Sequence, residues 1–448
     1  MDRRDFIGSL PVLGTAASLT AAIPAAVGKR PRILLRESLQ YENIGDSGRV
    51  PGTLRLLSLH LAEPEVTLWP WSLHETERKL LLATFPRLRI VEGAIDGKGN
   101  ASTAELAKAW KDADFFVCPG KGREHYEAWA RTDRPFGLFG TAFDPVSNRA
   151  QRPDGGTVNQ LKQDIERLPA GDFAKRWGDP ALYAKASFIF CRDTISLGYL
   201  RAQKIGPAKL EFGPEGAFAI AVRDDRRAEA WLKRHALESD RYLCVIPRLR
   251  YTPYYRIKNL PRSPGDHEID ALNARWADQD HQAMREMIVR WVRETGGKVA
   301  ACPEMTYQIE TARLHLVEPL PDDVKRQVVW RDEFWLPNEA ASIFARAAAV
   351  VSADCHSPII ALANGTPALH VRNPTDTVKA QMFRDIGAGD WLFEVGETTG
   401  EILWEKLGWI HQNLPQARAK VKAIMAGVSE RQRQMVGAIG SAVATRSS

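Results

Sequence analysis

His356 follows Asp354 by two positions, in a stretch built to hold ionisable groups. The apolar run Val350-Val351 precedes the pair, and a short apolar helix from Pro358 to about Ala363 follows it. Ser357 is a good N-cap, Pro358 suits the first helical position, and Gly365 is a natural stop. The pair thus lies between a strand's carboxyl end and a helix's amino end, where open α/β sheets bind ligands. Unpaired N–H groups at such a helix start also favour an anion. Histidine can give or take a proton near neutral pH, and Asp354 can orient it or stabilise its charge. The plainer alternative is that His356 only caps its loop.

Other polar residues fall at similar places. Arg192-Asp193 directly follows the strand Ser187–Cys191. Arg192 can grip an anion with its planar fork, or the two residues form an internal pair with Asp193 capping the helix from Thr194. Asn43 and Asp46 lie on a glycine-bearing loop ahead of a helix. Asp46 can accept a sugar hydroxyl or act as a base, or it only shapes the turn. Arg248, Arg250 and Tyr251 begin a basic, aromatic loop that runs to Arg256. Tyrosine faces stack on sugars and arginines bind carboxylates or phosphates, whereas the bland reading is a solvated surface loop. Glu304 stands just past the strand Lys298–Cys302, and Gly120 and Gly122 can let backbone approach a ligand. The sequence has no Walker loop, HExxH or G-x-S-x-G elbow and no zinc-ligand spacing, so neither a metal nor a cofactor is expected.

The elements that must position these residues alternate. Strands are expected at Arg32–Leu35, Val66–Trp69, Leu88–Val91, Asp114–Cys118, Phe136–Gly140 and Ser187–Cys191, separated by helical stretches. A charged, helical bridge over Arg223–Arg241 leads to a second set, opening with the strand Tyr242–Ile246. Met284, Met287, Ile288, Trp291 and Val292 form one face of a helix. A helix is expected over Thr375–Ile386 and another over Gln416–Val443. Such alternation indicates parallel sheets covered on both faces. At 448 residues the chain exceeds one ordinary core. The expected fold is α/β, with two Rossmann-like domains facing across a cleft. Their expected bounds are residues 31–225 and 226–415, with a helical tail over 416–448.

The net charge is +6, without the clustered Lys/Arg blocks of a nucleic-acid binder. Asp2-Arg3-Arg4-Asp5-Phe6-Ile7 precedes a mildly apolar stretch, and Ala26 and Gly28 are small residues where a signal peptidase can cut. Residues 1–28 therefore look like a twin-arginine export signal, with an amphipathic first helix as the alternative. No later run approaches the length of a membrane span. The expected location is periplasmic or exported, with membrane contact only through an uncleaved signal. Five cysteines, an odd number with no CxxC, all fall in or at the end of apolar strand-like runs and read as buried thiols.

Taken together, these landmarks resemble the polysaccharide pyruvyl transferase family over roughly residues 33–410. Asn43-Ile44-Gly45-Asp46 matches its opening N-x-G-D loop, and Asp114 to Gly122 looks like its glycine-rich strand-end loop with two of three glycines. Phe188 to Leu200 is close to its strand-then-RDxxS signature. Ser352 to His356 with the following helix resembles its S-x-R-L-H motif, and Lys379 before Ile386-Gly387 matches its lysine followed by an apolar residue and glycine. The resemblance implies a shape similar to GT-B glycosyltransferases. It also implies transfer of a pyruvyl group from phosphoenolpyruvate onto a glycan hydroxyl. The partners implied are a glycan acceptor and an anionic donor, with His356, Asp354 and Asp46 as catalytic candidates. Donor and acceptor contacts would come from Asn43, Gly120, Gly122, Arg192, Arg248, Arg250, Tyr251, Glu304, Ser357 and Lys379. In one place the chain departs: Asp354-Cys355 replaces the Arg-Leu before the histidine, and a carboxylate there repels an anion. Phosphoenolpyruvate is moreover a cytosolic metabolite. Two alternatives follow: an exported glycan-binding protein without transfer chemistry, and a GT-B-like glycosyltransferase.

Overall fold

A computed structural model of the chain describes residues 30–118, 123–147 and 154–447. The export-signal reading of residues 1–28, and Gly120 and Gly122, lie outside the described residues.

The first unit is a seven-stranded parallel sheet. Its strands are β1 (Arg32–Glu37), β2 (Glu65–Pro70), β3 (Arg89–Ile90), β4 (Phe115–Cys118), β5 (Phe136–Thr141), β6 (Phe188–Cys191) and β7 (Leu210–Phe212). They lie side by side in the order β3-β2-β1-β4-β5-β6-β7. The second sheet has six strands: β8 (Tyr242–Ile246), β9 (Lys298–Ala301), β10 (Val328–Trp330), β11 (Ala349–Ser352), β12 (Ala368–Arg372) and β13 (Leu392–Glu394). Its order is β10-β9-β8-β11-β12-β13. In each sheet the strand order reverses beside the first strand, at β1/β4 and at β8/β11. Central strands such as β4, β8 and β11 are buried at every residue, because helices cover both faces. The expected pair of Rossmann-like domains facing across a cleft is therefore the fold.

Four helices matter for the site: α1 (Ile44–His60), α2 (Pro264–Thr295), α3 (His356–Ala363) and α4 (Leu414–Ser447). Helix α1 belongs to the first unit but is buried on nearly all sides at its amino end, since it is wedged against the second unit. Its Gly52 meets the carbonyl of Gly216 so closely that an added Cβ would lie 1.9 Å from that oxygen. Helix α4, expected as a terminal tail, lies against both units. Val421, Ile424 and Val428 pack into the core around the second sheet, while Met435, Val436 and Ile439 join the core beneath β1. All five cysteines are buried.

Candidate active site

Each sheet points its carboxyl ends at the other, and between them opens a cavity of about 510 Å³. Its walls include Asn43, Asp46, Arg192, Arg248, Asp354, His356 and Lys379, seven of the residues singled out in the sequence.

The floor is built from the start of α1. Asn43 is its N-cap, with its side-chain oxygen accepting from the Gly45 N–H at 2.8 Å. Gly45 lies directly on the His356 ring: a Cβ there would sit 2.3 Å from Nδ1. The glycine of Asn-Ile-Gly-Asp is therefore a packing requirement, which brings Asp46 and His356 to one cavity. The Ile44 N–H donates to the Glu304 carbonyl at 3.0 Å and ties the two units at this point.

His356 is 6% exposed. Its Nε2 lies 3.2 Å from Glu215 Oε1 and its Nδ1 3.3 Å from Glu304 Oε1. Burial alone lowers an imidazole pKa, but the two flanking carboxylates reverse this and raise it to about 9. The ring is thus charged at neutral pH, an acid before it is a base. Glu215 in turn meets Arg192 at 2.9 Å and Arg49 at 3.8 Å. Burial opposes its ionisation, yet Arg192, His356 and Arg49 hold it well below the usual carboxylate range. Glu304 goes the other way: burial and the charge of Asp354 raise its pKa despite His356.

Asp354 is not the partner of His356 that the sequence suggested. It reaches instead to Arg248 Nη1 at 3.0 Å, Lys379 Nζ at 3.5 Å and Gln308 Nε2 at 3.0 Å. Asp376 shares the same two cations, each at 3.3 Å. Burial disfavours both charges, but Arg248 and Lys379 keep both carboxyls ionised, with Asp376 lowered to about 2. The carboxylate that departs from the family pattern is thus neutralised, and two cations and two anions form a balanced group on the second unit's side. The expected N-cap at Ser357 is also corrected. Helix α3 begins two residues earlier than expected, at His356 instead of Pro358, and Ser357 lies within it. Its first N–H groups are satisfied by Glu304, which accepts from Ser357 N at 2.6 Å and from His356 N at 3.3 Å. Glu304 and Ser357 therefore lie under the floor and not in the wall.

Two more expected contacts lie elsewhere. Arg250 is bidentate to Asp280 at 2.8 and 2.9 Å and stacks over Trp276, away from the cavity. Tyr251 is clamped through its backbone by Asn273 and borders a small separate cavity with Asp376. Asp193 proves to be the helix cap that the plainer reading gave it, accepting from Ser196 N at 2.7 Å, while Arg192 faces the cavity. Arg49, Asp144, Glu215 and Asp376 were not singled out. Glu215 follows the short edge strand β7 inside Gly213-Pro214-Glu215-Gly216, a strand-end signal that the missed strand concealed. Asp376 fell inside an expected helix over Thr375–Ile386. Only a 3₁₀ turn at Val378–Ala380 and a helix at Gln381–Asp385 form there, leaving Asp376 on the loop after β12. Among the described residues, no cluster of His, Cys, Asp or Glu is disposed to hold a metal ion.

This architecture has relatives among solved structures. A Listeria monocytogenes structure described as a UDP-N-acetylglucosamine 2-epimerase shares it at a TM-score of 0.58 and 12% identity, over 92% of this chain and 96% of that one. UDP-GlcNAc 2-epimerase from Neisseria meningitidis, bound to UDP-GlcNAc, matches at 0.50 and 12%, over 91% and 99%. Phytolacca americana UGT2, complexed with UDP-2fluoro-glucose and pterostilbene, matches at 0.52 and 11%, over 92% and 100%. At such identities the likeness shows the GT-B-type fold alone. No curated protein is a significant match in sequence. The family model for polysaccharide pyruvyl transferase matches residues 68–374, more than half of the chain, from within β2 to the loop after β12. The chain belongs to the polysaccharide pyruvyl transferase family.

Proposed function

We propose that this protein transfers the pyruvyl group of phosphoenolpyruvate to a glycan as a ketal. The observation that carries the proposal is the imidazolium of His356, held charged between Glu215 and Glu304 at the floor of a cleft that also presents Arg192, Arg248 and Lys379. Ketal formation starts with a proton delivered to the methylene carbon of the donor, and His356 supplies it. The central carbon then bonds to an acceptor oxygen, and phosphate departs with the electrons of its C–O bond. A second hydroxyl closes the ring. Of the two hydroxyl protons, one replaces the proton that His356 gave and the other ends on the released phosphate. Asp46, beside His356 in the cavity wall, receives the attacking hydroxyl. Arg192, Arg248 and Lys379 take the donor's carboxylate and phosphate.

The test is purified protein with phosphoenolpyruvate and a panel of glycans, read by phosphate release and by mass of the ketal product. Wild type is expected to turn over, and His356→Gln to fall by about 10²–10⁴-fold, the usual worth of a positioned acid. Absence of phosphate and ketal with every acceptor would overturn the proposal. One observation favours a second reading, a glycan-binding protein without transfer: Arg248 and Lys379 are already shared by Asp354 and Asp376. Glycan binding that survives His356→Ala, with no wild-type turnover, would select it. A nucleotide-sugar donor, suggested by the UDP-bound structures of similar fold, requires that UDP bind in the same cleft. Export through residues 1–28 is a separate proposal, which favours the second reading because phosphoenolpyruvate is cytosolic, and it is tested by fusing them to a reporter that is active only outside the cytosol.

A further inference from the structure

We infer that Trp71 is the stacking platform for a second sugar residue of the acceptor, one strand away from the reacting hydroxyl. The inference rests on the proposed glycan-binding reading and adds a subsite to it. Strands β1 and β2 end in register, Glu37 beside Pro70, and the Trp71 N–H donates to the Glu37 carbonyl at 3.1 Å. The residue after Glu37 is Ser38, which lines the cavity. Neighbouring strands lie about 4.8 Å apart, a step comparable with one pyranose ring. Ser38 at the cavity edge and Trp71 beside it thus offer a glycan whose terminal sugar occupies the cavity a next contact at Trp71.

A single exposed aromatic is ordinary on a protein surface. This one differs in how it is held. Trp71 is 40% exposed, yet its ring rests on the Arg36 guanidinium, whose carbon lies 3.8 Å from the ring centroids of both Trp69 and Trp71. Arg36 is buried and is fixed by donating to the Trp69 and Pro70 carbonyls at 3.1 and 2.7 Å. Trp69 is anchored by its indole N–H on the Gly93 carbonyl at 2.9 Å. His125, also buried, meets both rings at 4.6 and 5.1 Å. The protein thus buries a guanidinium and an imidazole to hold one solvent-facing indole still, at the sheet edge where ligands bind. A fixed aromatic face loses little conformational freedom on binding. It suits the apolar C–H face of a neutral hexose, which is flat, while the hydroxyl rim stays in water.

The test is calorimetry with cellotetraose, mannotetraose and galactotetraose, each beside its parent hexose, on wild type, Trp71→Ala and Trp71→Phe. At least one tetrasaccharide is expected to bind more tightly than its hexose. Trp71→Ala should weaken that tetrasaccharide by about tenfold, about 1.4 kcal/mol, with a smaller change for the hexose, and Trp71→Phe should restore most of it. Equal tetrasaccharide affinity in wild type and a natively melting Trp71→Ala overturns the platform, and so does failure of every saccharide to bind. The two proposals fail separately. Trp71-dependent binding without pyruvyl transfer leaves the platform and removes the transferase; transfer whose acceptor KM ignores Trp71 does the reverse.

Discussion

Histidine 356 is an acid because of its neighbours, and the pH dependence follows from that. Its pKa is raised from 6.5 in the unfolded chain to about 9 by Glu215 and Glu304, against the pull of burial. That difference favours the charged ring by about 3 kcal/mol. For a group raised on folding, the stabilisation is fully present below pH 6.5 and is lost as pH rises through 9. Turnover that needs the imidazolium is therefore expected to hold flat across neutral pH and fall with an alkaline limb near 9, whereas the melting temperature declines earlier, between pH 6.5 and 9. An alkaline limb near 6.5, with no drop in melting temperature between pH 7 and 10, would show that the carboxylates do not act on the ring as described. Gly45 makes a steric prediction at the same spot. A methyl group there meets the ring at 2.3 Å, inside any tolerable contact. Gly45→Ala should cost about 1–3 kcal/mol by overpacking and displace His356, so that kcat falls more than stability alone explains. A variant with wild-type kcat and melting temperature would remove this account of the Asn-Ile-Gly-Asp motif.

Among the elements, α3 shows how a side chain from one loop completes another. Its first N–H groups end on Glu304, three residues past β9, which also faces His356 Nδ1. Glu304→Gln keeps an acceptor but removes the charge, so helix capping should survive in part while the imidazolium loses one of its two anions. We expect a loss of about 1–3 kcal/mol from this partly compensated buried change, and a lower His356 pKa in a proton NMR titration. An unmoved His356 titration would disprove the coupling. Glu304, Arg192 and Arg248 were legible in the sequence as polar residues at strand ends, because a hydrophobic run followed by a polar residue marks a sheet's carboxyl edge, and Asp46 as part of a glycine-bearing loop ahead of a helix. Glu215 and Asp376 were not. Strand β7 has only three residues and half-buried sides, too little pattern to announce an edge. The segment after β12 carries residues compatible with a helix, but the cations that Asp376 neutralises hold it in a loop, and that is a tertiary effect. The pairing of Asp354 was hidden for the same reason: Arg248 and Lys379 are 106 and 25 positions away from it in the chain. Proximity of two residues in sequence suggested the His356–Asp354 pair, and the turn into α3 separates their partners.

At the scale of the whole molecule, the two sheets share their support. Ile44, Phe218 and Ile220 from the first unit lie in the core around the second sheet, and Val378 and Ala380 from the second lie in the core around the first. Helix α4 contributes to both, and its Gln432 donates to the Glu215 carbonyl at 2.9 Å, directly behind the site. On the far rim Asp385 accepts from Thr194 N and Oγ1, each at 2.7 Å, so the second unit satisfies the first N–H of the helix that Asp193 caps. Val378 N donates to Asp144 at 3.0 Å and Val158 N to Glu394 at 2.8 Å along the same seam. A cleft between units that merely hinge would unfold in two steps. Units that exchange core side chains lose part of their own interior when either opens, so cooperativity extends across the seam. Calorimetry should accordingly record one endotherm for the full chain. Asp385→Ala, which removes two hydrogen bonds across the seam at a cost of about 1–3 kcal/mol, should lower that endotherm without splitting it. Two resolved transitions in the wild type would mean that each sheet holds its own core. The meeting of Asp46 and His356 in one cavity, with Glu215 and Glu304 against the imidazole, would then depend on domain closure and not on the fold.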